Sequence, residues 1–152
     1  MIEQIESFLR KEINHGLKDI AIFRENDGSY NMFSRYIIKK NKLGNIIVQV
    51  LNTSSKMYFN SVRSAVTYCI FDKRNKLYES KRIQDLDNKL VSLDIEITLG
   101  NKRFKKAKSV EEKLITLAKL NESKLKKKQF EQELNQYVVD AKLWQDKRFK
   151  QK

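Results

Sequence analysis

The sequence predicts an α+β protein: a small α-β-β-β-α unit over residues 1–75, followed by a long antiparallel helical hairpin over 78–152. Three observations carry this. Turn residues punctuate short β-rich runs up to about residue 59, an unbroken 3-4-3-4 apolar spacing starts at Ile83, and the 152 residues contain no proline to interrupt a helix.

Taken in order, Ile2, Ile5, Leu9 and Ile13 form one stripe at steps of three and four, a helix over 2–15 that Gly16 ends. Residues 19–24 form a short strand, and Asn26-Asp27-Gly28 a hairpin turn of residues that tolerate positive φ. A second strand covers 30–39. Phe33, Arg35 and Ile37 share one of its faces, and Tyr30, Met32, Tyr36 and Ile38 the other. Residues 40–45 turn the chain into the β-branched run 46–51, and 52–55 turn it again into a short edge strand at 56–59. Asn60 or Ser61 then caps a helix through about Phe71, with Ala65, Val66, Cys69 and Ile70 on its buried face.

The second part follows a different rule. Ile83, Leu86, Leu90, Leu93 and Ile97, continued by Gly100 and Phe104, make a narrow interaction seam suited to pairing with another helix. Ser109 and Glu112 form a capping box that starts a second helix, whose apolar positions are Val110, Leu114, Leu117, Leu125, Leu134, Tyr137, Ala141 and Trp144. At about 1.5 Å per residue, helices of 80–105 and 109–149 span roughly 39 and 60 Å. The second therefore overhangs the first by about a dozen residues. That places Trp144 and Phe149 beside the N-terminal unit or against another copy, and an aromatic end of this kind is expected to dock.

Charge sets the functional expectation. The chain carries 32 Lys/Arg against 19 Asp/Glu, and residues 101–152 alone hold 16 against 7, a net +9 of the total +13. So uneven a distribution points to a polyanion, most often nucleic acid. Part of the excess follows a general skew toward Lys, Asn and Ile, which AT-rich coding favours.

The candidate phosphate contacts fall in clusters: Lys39, Lys40 and Lys42 in a hairpin turn; Lys102, Arg103, Lys105, Lys106 and Lys108 at the helical turn; Lys124, Lys126, Lys127 and Lys128 midway along the last helix; Lys147 and Arg148 near the end. The plain alternative for each cluster is a solvated helix face or a lysine-protected edge loop. Arg35 and an exposed Tyr36 would add contacts beside the first cluster. Tyr30, Phe33, Tyr36, Tyr58 and Phe59 could form a stacking platform, although such aromatics more often build the core.

Catalysis is not expected, nor is a cofactor or a metal. His15 is the only histidine and has no partner at ligand spacing, Cys69 sits on an apolar helix face, and the four glycines are scattered. Asp85, Asp87, Asp94 and Glu96 spread around their helix, and pairing with lysines of the neighbouring helix accounts for them. No apolar run approaches the roughly 18 residues of a membrane span. The N-terminus begins acidic, unlike a signal peptide, and one cysteine permits no internal disulfide, so a cytoplasmic protein is expected.

The α-β-β-β-α order is similar in topology and size to a double-stranded-RNA-binding domain. That family opens its second helix on lysines. Here Asn60-Ser61-Val62-Arg63 holds one basic residue, so the family is not adopted. Residues 65–73 (AVTYCIFDK), 117–122 (LAKLNE) and 143–149 (LWQDKRF) resemble short uncharacterised proteins of T4-like tailed phages of marine bacteria, over roughly residues 30–150. The resemblance implies a viral protein acting in the host cytoplasm or in the virion, and it carries over no binding residue. The expected function is non-catalytic nucleic-acid binding, with DNA ahead of RNA. The alternative is a structural, assembly or protein-interaction module that uses the hairpin to form a homo-oligomer or to bind a partner.

Overall fold

A computed structural model describes residues 22–24 and 28–150, and side chains over 28–144. The helix expected at 2–15 with His15 and Gly16, the start of the first strand and the Asn26-Asp27 turn lie outside these residues. Five strands, β1 (Ile22–Arg24), β2 (Tyr30–Met32), β3 (Tyr36–Lys40), β4 (Ile46–Val50) and β5 (Lys56–Phe59), pair in sequence order as an antiparallel meander. Helices α1 (Val62–Lys73), α2 (Leu77–Lys106) and α3 (Val110–Lys150) follow. The architecture is α+β with a helical hairpin.

One expectation is corrected. The single strand foreseen at 30–39 is two strands joined by a tight turn, with Phe33 at φ 60° and Ser34 at φ 55° and the Arg35 N–H donating to the Met32 carbonyl (3.1 Å). Both central residues of the Met32–Arg35 turn are left-handed, the φ signs of a type I′ turn, and Arg35 adds a third residue before the Met32–Tyr36 pair. The face assignment survives because Met32 pairs with Tyr36, and directly opposed residues share a face. Tyr30, Met32, Tyr36 and Ile38 are all buried.

That face packs on α1. Ser61 caps the helix, its Oγ accepting from the Ser64 N–H (3.1 Å). Every residue of 64–71 is buried, because the sheet covers one side and α2 and α3 cover the other. Phe59 meets Tyr68 with ring centroids 5.2 Å apart, and Phe71 meets Tyr137 of α3 edge-on at 5.5 Å. One core cluster joins the sheet, α1, Ile83 and Leu86 of α2, and Leu134 and Ala141 of α3. The two units foreseen at 1–75 and 78–152 therefore share a single core.

Two buried polar groups brace this core. The Asp87 carboxylate, 4% exposed, accepts from the Asn60 backbone N–H (2.8 Å) and from Asn60 Nδ2 (3.0 Å), tying the entry to α1 onto α2. Asp87→Ala is expected to cost about 2 kcal/mol in urea denaturation, the range for bonds to a charged group. A loss below about 0.5 kcal/mol, typical of a surface substitution, would show that the tie is not holding α1.

Tyr36 is the second brace. Its hydroxyl donates to Asp72, and burial followed by that hydrogen bond pushes its phenol far above the ordinary value. Burial likewise pushes Tyr68 up to about 12. A phenol raised in the folded state contributes fully below its unfolded value of about 10 and loses that contribution as pH climbs past it. Denaturation at stepped pH is expected to show stability falling between about 10 and 12, and Tyr68→Phe should reduce the fall.

The hairpin is antiparallel. A three-residue connection joins its helices, and Ser109 and Glu112 cap α3 as foreseen: Ser109 Oγ accepts from the Glu112 N–H (3.1 Å). The reciprocal bond is shifted by one residue, from the Lys108 N–H to Glu112 Oε2 (3.3 Å). Arg82 clasps Glu133 through two bonds (2.5 and 2.9 Å), and Lys127 meets Asp94 (2.7 Å). At Gly100 the helices approach so closely that an added Cβ would lie 2.5 Å from Leu120 Cδ2. With 41 residues against 30, α3 overhangs α2, and Trp144 docks edge-on against Phe33 (6.5 Å) and under the Arg74 guanidinium (5.2 Å).

A second correction concerns α3. Shielded positions recur at 120, 123, 127, 130, 134, 137, 141 and 144, a 3-4 repeat facing the rest of the chain. Leu134 and Ala141 lie on it as expected, and Leu120 joins them. Val110, Leu114, Leu117 and Leu125 do not; they are 74%, 60%, 40% and 57% exposed. They stand off the seam because Gly100–Leu120 and Asp94–Lys127 fix the register elsewhere.

Candidate nucleic-acid interface

Beyond Asp87, which contacts Asn60, α2 runs on for nineteen residues to Lys106, about 28 Å of rise. This is an arm of two helices with a basic end. Residues 101–128 hold eleven Lys/Arg against three Asp/Glu, a net +8. Residues 129–150, the rest of α3, hold four of each and are neutral. Most of the chain's surplus is thus gathered along the projecting arm, and residues 101–113 at its free end hold six Lys/Arg against two Asp/Glu.

At the tip, Lys102, Arg103, Lys105, Lys106 and Lys108 are all exposed, and none has an ion partner among the described residues. Three of them, Arg103, Lys105 and Lys106, sit in the last turn of α2, where the unpaired carbonyls favour cations. That local role accounts for part of their presence. Glu111 and Glu112 share this end, in the first turn of α3, but form no ion pair with the tip cations among the described residues, and Glu122 is paired with Lys126 (3.5 Å).

The other clusters are placed differently. Lys127 is spoken for by Asp94, whose hydrogen bond and charge push its ammonium up, and Lys126 by Glu122. Lys124 and Lys128 are exposed and have no ion partner among the described residues. Of the three lysines expected in the hairpin turn, only Lys42 lies in the β3–β4 turn; Lys39 and Lys40 are the last residues of β3, paired with Ile47 and Ile46. Asn41 Oδ1 fixes that turn by accepting from the Leu43 N–H (3.0 Å) and the Asn45 N–H (2.9 Å), and Gly44 takes φ 91°. Lys147 and Arg148 lie on α3 about 55 Å of rise from Val110, and their side chains lie outside the described residues. The clusters do not form one compact patch.

Tyr36 is fully buried and offers no stacking surface beside Arg35, a correction to the exposed position foreseen for it. Tyr30 and Phe59 are core residues, Phe33 packs against Trp144, and only Tyr58 of the five aromatics is more than half exposed (53%). The seam is equally committed. Ile83 and Leu86 are fully buried, Leu93 is buried, and Leu90 and Ile97 are half-buried, all within this chain.

The acidic residues of α2 have separate tasks: Asp87 binds Asn60, Asp94 binds Lys127, and Glu96 accepts from Ser123 Oγ (3.3 Å). Cys69 is buried, and burial pushes its thiol up. Among the described residues no helix is long and apolar enough to cross a membrane.

Sequence reasoning missed the Arg74 stack, in which the guanidinium lies over both Phe71 and Trp144. It also missed the buried role of Asp87. The chain matches no protein-family model, no curated protein and no solved structure.

Proposed function

We propose that the chain is a non-catalytic nucleic-acid-binding protein that contacts backbone phosphates through the basic end of its helical arm, with DNA as the preferred partner. The observation that supports this is the net +8 of residues 101–128 on a projecting two-helix arm whose tip cations have no ion partner among the described residues. Surface cations not held in ion pairs displace condensed counterions when they meet phosphates, and that release drives sequence-independent binding. Rigid helices hold the charges in place beforehand, which lowers the entropy lost on association. The resemblance to phage proteins would place this activity in an infected cell.

The test is a salt-series gel shift with single- and double-stranded DNA and RNA. Binding that weakens steeply with salt supports the reading. No binding in dilute buffer removes it.

A further inference from the structure

We infer that the phosphates follow one flank of the arm, the side of Lys113, Lys124 and Lys128, and that the opposite flank faces away from them. This rests on the nucleic-acid reading and deepens it by giving the contact a side.

A crevice between α2 and α3 opens on one flank, with Glu96, Arg103, Lys119, Glu122 and Lys126 in its walls. Gly100 and Leu120 face each other across the hairpin and give each helix a reference direction. At about 100° per residue, Glu96 and Arg103 stand roughly 40–60° from Gly100 toward the crevice, and Lys119, Glu122 and Lys126 roughly 100–160° from Leu120. Glu112 falls about 80° to that same side. Lys113, Lys124 and Lys128 fall roughly 20–80° to the other side of Leu120, and Asp94 about 120° to the other side of Gly100.

Apart from the five tip cations, the charges of residues 94–128 divide unequally between these flanks. The crevice side holds Lys119 and Lys126 against Glu96, Glu112 and Glu122, a net −1. The other side holds Lys113, Lys124 and Lys128 together with the Asp94–Lys127 pair (2.7 Å), a net +3. Glu111 stands about 180° from Leu120, on neither flank.

Lys113, Lys124 and Lys128 are exposed and have no ion partner among the described residues. Asn101 and Asn121, both exposed, stand about 100° to the lysine side of their helices and add amide donors for phosphate oxygens. A polyanion laid on that side meets cations and amides. On the crevice side it would meet three carboxylates, and like charges brought together oppose binding. Glu96 and Glu122 make the crevice itself a poor anion site for the same reason.

The two flanks are compared with matched variants of the full chain, binding a labelled duplex between about 50 and 200 mM salt and read by fluorescence anisotropy. Lys124→Gln/Lys128→Gln should shrink the affinity lost over that range about twelvefold, two contacts at about 0.9 logarithmic units each over a fourfold change. Lys119→Gln/Lys126→Gln removes the same charge from the same helix and should leave the loss within about twofold of the unaltered chain's.

Equal changes from the two variants overturn the inference, because the charge would then act without a side. A larger change from Lys119→Gln/Lys126→Gln overturns it too and assigns the phosphates to the crevice flank. Failure of the unaltered chain to bind the duplex in dilute buffer removes the nucleic-acid reading itself, an outcome distinct from both.

Discussion

Raising salt from 50 to 200 mM is expected to cut the affinity of this chain for duplex DNA at least about 500-fold. The figure follows from five phosphate contacts at about 0.9 logarithmic units each over a fourfold change in salt. The five are Lys102, Arg103, Lys105, Lys106 and Lys108, the exposed tip cations without an ion partner among the described residues. Replacing Lys105, Lys106 and Lys108 by Gln should flatten the salt slope by nearly three contacts' worth, and affinity at low salt should fall by several orders of magnitude. Glutamine keeps the helix former while removing the charge, so the loss of the favourable dipole contact at the α2 end stays near 0.3–1 kcal/mol per residue, roughly. A matched variant of Lys39, Lys40 and Lys42 tests the sheet turn. If that variant loses the slope and the tip variant keeps it, the β3–β4 turn is the phosphate-binding surface and the arm is not.

Where local chemistry decides, the fold was legible. Ser61, one of the two candidates, and Ser109 cap their helices, because a hydroxyl beside a free first-turn amide is a short-range signal. The α2 seam was legible because seven positions keep one spacing, and the overhang was legible because helix length is arithmetic. The Phe33–Ser34 turn was not, because it adopts left-handed backbone without the Gly, Asn or Asp that advertises it. The burial of Asp87 was equally silent; nothing local separates it from Asp85, which stays exposed two residues away. For the candidate site, the charge surplus could be counted from residues alone. Its placement on a projecting arm, and the loss of Lys126 and Lys127 to acidic neighbours, depend on which residues the hairpin brings face to face.

Two leucines of α3 put that register to the sharpest test. Leu134→Ala is expected to cost about 2–5 kcal/mol, the range for emptying a closed leucine site, since Leu134 is fully buried in the shared core. Leu114→Ala should stay within about 0.5 kcal/mol, because Leu114 is 60% exposed and alanine is the better helix former. Both residues read as apolar helix positions in the sequence, so the contrast reports the phase of α3 and not its composition. Equilibrium urea denaturation of the two variants measures it. Comparable losses would mean that the distal leucines pack inside the molecule, which would rotate α3 about its axis. That rotation would take Val110, Leu114, Leu117 and Leu125 out of solvent. It would leave the basic tip where it is, because the three-residue turn after Lys106 confines those cations to the end of the arm in either phase.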